Sequence, residues 1–336
     1  MKYLFITLIA ACTTIAASAA PLEDLSGGQS GRIEFNSSTP DNIWAMVRGE
    51  KSAPVVVWGH LTLPKSTTQK YPAMVMSHGS DGAVNNSAYP GYIKALNDAG
   101  VAVFMVDTYT PRGFDKLTSE GRLNQNLSAH VSDSLNALKL LATHPNIDPN
   151  KIFHMGWSTG GNTVMAAAFP AFMRKVVPAP LRWAGSIALY PGCNTKWRVD
   201  HLGKNPAPIL MLLGAKDDMT PSDACVDYAK TLVKDGSTVS YKVYPDAYHV
   251  FDRANQPYAQ FKEGNFAKCN VEVKISLTSN GVGDGYDYNL NQKIVTGSDL
   301  NDSLKACRQM SYISVQSNPK ATQAAVQDVL DFVKNN

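Results

Sequence analysis

Cysteine is scarce in this chain of 336 residues: there are five, with no C-x-x-C pair and no His-x-x-x-His spacing nearby. That pattern leaves no zinc framework to expect, and no metal site is assigned. Charge of one sign is also lacking. The formal net charge is +3 with no basic run and no acidic tail, so neither nucleic acid nor an anionic membrane surface is expected as a partner. Long apolar runs are missing too: Thr13, Thr14 and Ser18 interrupt the one at the N-terminus well short of the ~20 residues a membrane span needs. Nor is there an internal repeat or a low-complexity linker, which points to one domain. What remains is ordinary for a globular protein, 44% hydrophobic and 18% charged, with length enough for a large core.

The first residues read as an export signal. Lys2 supplies the charge, Tyr3 to Ile9 the apolar stretch, and Ala17-Ser18-Ala19 the small-residue cleavage site. Residues 1–19 are therefore expected to be removed and the mature chain, 20–336, to be secreted or periplasmic. Ile9-Ala10-Ala11-Cys12 has the form of a lipoprotein box, which would instead put a lipid anchor on Cys12; its very short apolar core argues for cleavage after Ala19. Without the leader, four cysteines remain: Cys193, Cys225, Cys269 and Cys307. An even count in an exported chain points to two disulfides. Of three possible pairings, Cys193–Cys225 and Cys269–Cys307 join partners close in sequence.

The stretch that organises the rest is Lys151 to Asn162, KIFHMGWSTGGN. An apolar run ends in Gly156-Trp157-Ser158-Thr159-Gly160 and a helical run follows, which is G-x-S-x-G between strand and helix. There the chain must reverse sharply to project the serine hydroxyl, and side chains at Gly156 or Gly160 would collide with a neighbouring strand or helix. Apolar runs at 54–63, 71–77, 101–106, 183–190, 208–213 and 239–244 read as further strands. Helical spacing marks 89–99, 129–143, 162–169, 222–233 and 319–334. Strands alternating with helices predict an α/β chain: a doubly wound, mostly parallel sheet of about eight strands flanked by helices. Reactive groups in such sheets gather at strand carboxyl ends. Residues 21–41 read as an extended arm. The polar stretch at about 253–320 reads as an insertion pinned by Cys269–Cys307, and its Asp/Asn/Gly run at 279–285 as a plain loop rather than a calcium loop.

Acyl transfer by serine needs a base, a group to orient that base, and donors for the oxyanion. Ser158, Asp217 and His249 follow one another in the chain, each just after an expected strand. His60 and His154 fall inside strands, and His130, His144 and His201 on helix or loop surfaces, so His249 is the candidate base. Asp217 is the candidate orienting acid; Asp218 competes, but adjacent side chains point different ways. The amides of Thr159 and Ser80 are the candidate oxyanion hole, with His78 shaping the loop. Trp157 and Tyr109 are candidates to line the pocket.

The segments SHGSDG, VDTYTPRG, GWSTGG, YPGC, LLGAKDDMTPSDAC and YPDAYHVFDR together resemble the dienelactone hydrolase family, over nearly all of the mature chain. The resemblance implies an α/β-hydrolase fold, a triad of Ser158, Asp217 and His249, a Cys193–Cys225 bond as in exported relatives, and no cofactor. Family members proper use a cysteine nucleophile and an active-site glutamate on the oxyanion loop; this chain has Ser158 and no such glutamate. Their two carboxylate-binding arginines are matched by Arg112 and Arg253, though a loop arginine such as Arg112 can equally serve backbone carbonyls. The expected activity is hydrolysis of a small-molecule carboxylic ester or lactone. A peptidase or amidase with the same triad, and a binding protein on a hydrolase fold, are the rivals. Oligomeric state stays open.

Overall fold

A computed structural model describes residues 20–65, 70–84, 86–117, 121, 127–199, 207–275 and 285–336. The expected leader with Cys12, His201 and most of the 279–285 run lie outside the described residues.

Among the described residues, eight strands form the central sheet: β1 (Gly31–Thr39), β2 (Ala53–Thr62), β3 (Tyr71–Ser77), β4 (Ala102–Asp107), β5 (Ile147–Trp157), β6 (Ser186–Leu189), β8 (Ile209–Gly214) and β9 (Val239–Tyr244). Their order is β1-β2-β4-β3-β5-β6-β8-β9, antiparallel from β1 through β2 to β4 and parallel from there on. Both faces are covered, which is why the central strands are almost wholly apolar. Successive residues serve opposite cores: Ala73 and Val75 face one, Met74 and Met76 the other. The first core packs α1 (Ile43–Arg48), α3 (Leu127–Leu141), α4 (Thr159–Ala167), α5 (Pro170–Met173) and α6 (Ser222–Lys234); the second packs α2 (Tyr89–Asp98) and α8 (Pro319–Asn335). The doubly wound architecture is thus the one the alternation predicts.

The sheet's order reverses at β3, which has β4 on one side and β5 on the other. The crevice beyond the carboxyl ends of such a pair is where open α/β sheets bind ligands. Here it receives the loop after Ser77 and the turn at Ser158.

One region departs from the sequence reading. The 21–41 arm contains β1, a full edge strand whose Ile33 and Phe35 are buried beside more exposed neighbours. The described part of the 253–320 stretch is folded into strands and a helix. Its β10 (Ala259–Asn265) pairs with β14 (Gln309–Val315). Its β11 (Val271–Ile275) runs parallel to β7 (Thr195–Val199), and β12 (Gly285–Asp287) and β13 (Gln292–Ile294) extend that sheet. A helix, α7 (Gly297–Cys307), follows, started by a capping box of Thr296 and Asp299. Cys269 is bonded to Cys307, which ties the end of α7 to the start of β11, and Cys193 is bonded to Cys225.

His130 and His144, expected at the surface, are buried, as is His154; His60 is exposed. Burial pushes His154 down to about 3, with its ring stacked on Trp183 and Nε2 2.9 Å from Ser77 Oγ. The sign follows from linkage: a histidine with a folded pKa below its unfolded ~6.5 favours the folded state above pH ~6.5 and loses that contribution as pH falls. His154 alone is therefore expected to cost about 1.4 kcal/mol of stability per pH unit below ~6.5. Buried Asp133 and Asp252, whose carboxyls burial raises, act in the opposite sense, losing their contribution as pH rises. Urea unfolding of wild type beside His154→Phe between pH 7.5 and 5 isolates the histidine from the other buried groups. Stability of His154→Phe should fall less steeply than that of wild type, by one proton's slope, and parallel profiles would refute the assignment.

Candidate active site

The turn after β5 carries Ser158 in a conformation few residues adopt. Ser158 has φ 50° and ψ −112°, outside the regions open to most L-residues, and such strain persists only where the surroundings impose it. The glycines on either side explain how it is imposed. A Cβ on Gly160 would lie 2.0 Å from the Ser77 carbonyl oxygen, and one on Gly156 would lie 2.3 Å from the Gly160 carbonyl oxygen. β3, β5 and α4 therefore meet backbone to backbone, and Ser158 is held over the sheet edge at the N-terminus of α4.

His249 and Asp217 come to this point from the turns after β9 and β8. His249 Nε2 is 3.2 Å from Ser158 Oγ, and His249 Nδ1 is 2.8 Å from Asp217 Oδ2. All three residues are buried. The Asp217 carboxylate is fixed on its far side: Oδ1 accepts from the amides of Met219 and Thr220, and Oδ2 from the Thr220 hydroxyl at 2.8 Å. Asp218 points elsewhere, accepting from the Ser314 amide of β14 at 2.8 Å. The two adjacent carboxylates thus divide the work: one holds the histidine, the other holds the insertion.

Ser80 follows β3 and Thr159 opens α4. Among the described residues, neither amide donates to a backbone or side-chain acceptor. His78, buried beneath the loop, accepts the Thr108 amide at Nε2 (3.2 Å), which leaves Nδ1 to donate to the Gly79 carbonyl at 2.7 Å. Burial lowers its pKa and favours that neutral form. Because the Gly79 carbonyl and the Ser80 amide share one trans peptide, pinning the oxygen toward His78 turns the N–H the opposite way.

The other candidates separate. Arg253 borders the site and is paired with Asp81. Trp157 also borders it, but its indole packs on Tyr89 and Tyr92 and donates to Asp252 at 2.9 Å. Arg112 is a correction. It is buried with Asp133 of α3 in a two-pronged pair of 2.8 and 3.0 Å, and also donates to the Thr108 and Ser38 carbonyls and to Thr39 Oγ1. All its donors are used in joining β1, α3 and the turn after β4, and it borders neither cavity at Ser158. Tyr109 is likewise in the core, edge-on to His78 and His130, and is not a pocket wall.

Asp252 was not singled out from the sequence. It is buried three residues after His249, accepts from Trp157 Nε1 and from Tyr190 Oη at 2.7 Å, and burial raises its pKa. Tyr190 in turn lies edge-on to the His249 ring, centroids 4.8 Å apart. Asp252 therefore ties the strand bearing Ser158 to the group beside His249. Its place in YPDAYHVFDR is the only sign the sequence offers of it.

The dienelactone hydrolase family profile matches residues 57–274, well over half of the chain, and the chain belongs to that family. It is accordingly a hydrolase of the α/β type. Protein usf of Aquifex pyrophilus is 26% identical over 248 residues, 69% of this chain and 95% of that one. Acylamino-acid-releasing enzyme 1 of Oryza sativa is 25% identical over 223 residues, 56% of this chain but 29% of its own length, so this chain spans under a third of that enzyme. Among solved structures, Est1E from Butyrivibrio proteoclasticus is similar with a TM-score of 0.43 and 18% identity, over 58% of this chain and 86% of that one.

Proposed function

We propose that the chain is an exported serine esterase acting on carboxylic esters or lactones through Ser158, His249 and Asp217. The observation that carries this reading is the continuous line from Ser158 Oγ through both ring nitrogens of His249 to Asp217 Oδ2. With Asp217 accepting from Nδ1–H, Nε2 is left with a lone pair facing the serine hydroxyl. Ser158 Oγ attacks the carbonyl carbon and its proton passes to Nε2. The oxyanion gathers the amides of Ser80 and Thr159, at the N-terminus of α4. As the carbon–oxygen bond to the leaving alcohol breaks, His249 returns the proton to that oxygen. Water, deprotonated by the same nitrogen, then attacks the acyl-enzyme and frees Ser158. No step needs a metal or cofactor. The expected signal peptide and the two disulfides support export.

Hydrolysis of p-nitrophenyl esters from acetate to laurate tests the reading. Activity on the shorter esters is expected in wild type, with a loss on the order of ten-thousandfold or more in His249→Ala. An unchanged His249→Ala rate would refute the assignment of the base.

A further inference from the structure

Ser158 stands between two cavities of very different size. The smaller, about 160 Å³, is bordered by Ser80, His249, Arg253 and the insertion residues Phe261 and Val315. The larger, about 680 Å³, is bordered by Thr159, Trp44, Leu127, Trp197, Leu300 and Leu304. Ser158 borders both, while among the described residues His249 borders only the smaller.

That asymmetry has a chemical consequence. In the reaction proposed above, on which this inference rests, the proton taken from Ser158 by His249 Nε2 must reach the leaving oxygen, which therefore lies within hydrogen-bond reach of that nitrogen. The leaving alcohol is then on the side of the smaller cavity. With the carbonyl oxygen held between the Ser80 and Thr159 amides, the remaining substituent of the carbonyl carbon, the acyl chain, faces the larger one.

We propose that the larger cavity is an acyl-binding site, and that the preferred substrates are esters joining a bulky apolar acid to a small alcohol. Sites that enclose drug-sized ligands measure roughly 300–1,000 Å³, a range that takes in the larger cavity. The smaller, at about 160 Å³, falls below that range. Trp44, Leu127, Trp197, Leu300 and Leu304 give the larger cavity an apolar surface for such an acid, beside the charged Asp41, Lys305 and Arg308 that also border it. Part of that lining, Trp44 on α1 and Leu300 and Leu304 on α7, lies outside the family-matched residues 57–274. The Cys269–Cys307 bond fastens α7 in that place.

Two isomeric esters test this directly, because they match in composition and differ only in which side is bulky: methyl 4-phenylbutanoate and 3-phenylpropyl acetate. Wild type is expected to hydrolyse the first with a kcat/KM at least about thirtyfold higher, since each methylene accommodated in a fitted apolar pocket is worth roughly tenfold or more. Filling the cavity should reverse the preference. In Leu304→Trp, and independently in Asn301→Trp at the exposed rim, the ratio of the two kcat/KM values should fall at least about tenfold. Labelling of Ser158 by a fluorophosphonate, followed by mass, separates the two levels of failure. If Ser158 is labelled but the acetate is the better substrate, or the ratio is near one, or both variants leave it unmoved, the acyl assignment is overturned and the esterase stands. If Ser158 is not labelled and neither ester is cleaved by folded protein, the esterase falls and the acyl assignment with it.

Discussion

Replacing Asp217 by asparagine is expected to lower kcat by on the order of ten-thousandfold, while Asp218→Asn stays within a few-fold of wild type. The tautomer of His249 decides the outcome. In the native site Asp217 Oδ1 accepts two backbone amides, from Met219 and Thr220, and Oδ2 accepts from the Thr220 hydroxyl and the histidine. An asparagine would keep its carbonyl oxygen toward those two amides and so present its NH₂ to His249 Nδ1. Nδ1 would then have to accept, placing the ring proton on Nε2, where it cannot take the serine's proton. The Thr220 hydroxyl could turn wholly to the Tyr190 carbonyl, which it already reaches at 3.1 Å, so the fold should survive. Asp218 is 2.8 Å from the Ser314 amide instead, and its loss should loosen β14 rather than stop the chemistry. Steady-state kinetics on one p-nitrophenyl ester checks both; equal effects of the two substitutions would show that the carboxylate roles are misassigned.

Gly160→Ala is the second large effect expected, and it acts on shape rather than on chemistry. The added methyl would sit 2.0 Å from the Ser77 carbonyl oxygen and 2.7 Å from that of His78. Both are backbone atoms that cannot swing aside, so β3 and α4 must move apart. Overpacking of this kind costs roughly 1–3 kcal/mol, and more where the clash is with main chain. The displaced segment leads directly to Ser80, and a shift near 1 Å at a reacting centre costs on the order of a hundredfold in rate. Urea unfolding should show a loss of about 3 kcal/mol, and kcat should fall at least about a hundredfold. Gly91→Ala is the contrast. It lies within α2 with nothing within 4 Å of the added carbon, and should be neutral or stabilising by about 0.5–1 kcal/mol. A Gly160→Ala enzyme as stable and fast as wild type would contradict the close backbone contact.

What could be read from the sequence follows from how local its causes are. β3, β4 and β8 announce themselves because strands covered on both faces are unbroken apolar runs. The turn at Ser158 is legible because its glycines answer a local backbone demand. β1 was harder to see. It is an edge strand with one buried face, so Ile33 and Phe35 alternate with polar residues and the whole reads as an arm. The insertion's strands are illegible for a different reason: β11 pairs with β7, and β10 with β14, across long separations, and AQFKEGN carries no apolar signal of its own. Arg112 misleads because its partner, Asp133, lies 21 residues away on another element. Asp252 and the buried His130 belong to the same class, since only the assembled core shows what surrounds them.

Whether Ser158 is a nucleophile activated by His249 can be measured on the protein itself. Folded protein is treated with a fluorophosphonate and its mass determined intact and after proteolysis, alongside Ser158→Ala. A single adduct is expected on the peptide bearing Ser158, with loss of p-nitrophenyl ester hydrolysis in step with labelling, and neither adduct nor hydrolysis in Ser158→Ala. An adduct on another residue, or ester hydrolysis that survives in Ser158→Ala, would contradict the nucleophile assignment.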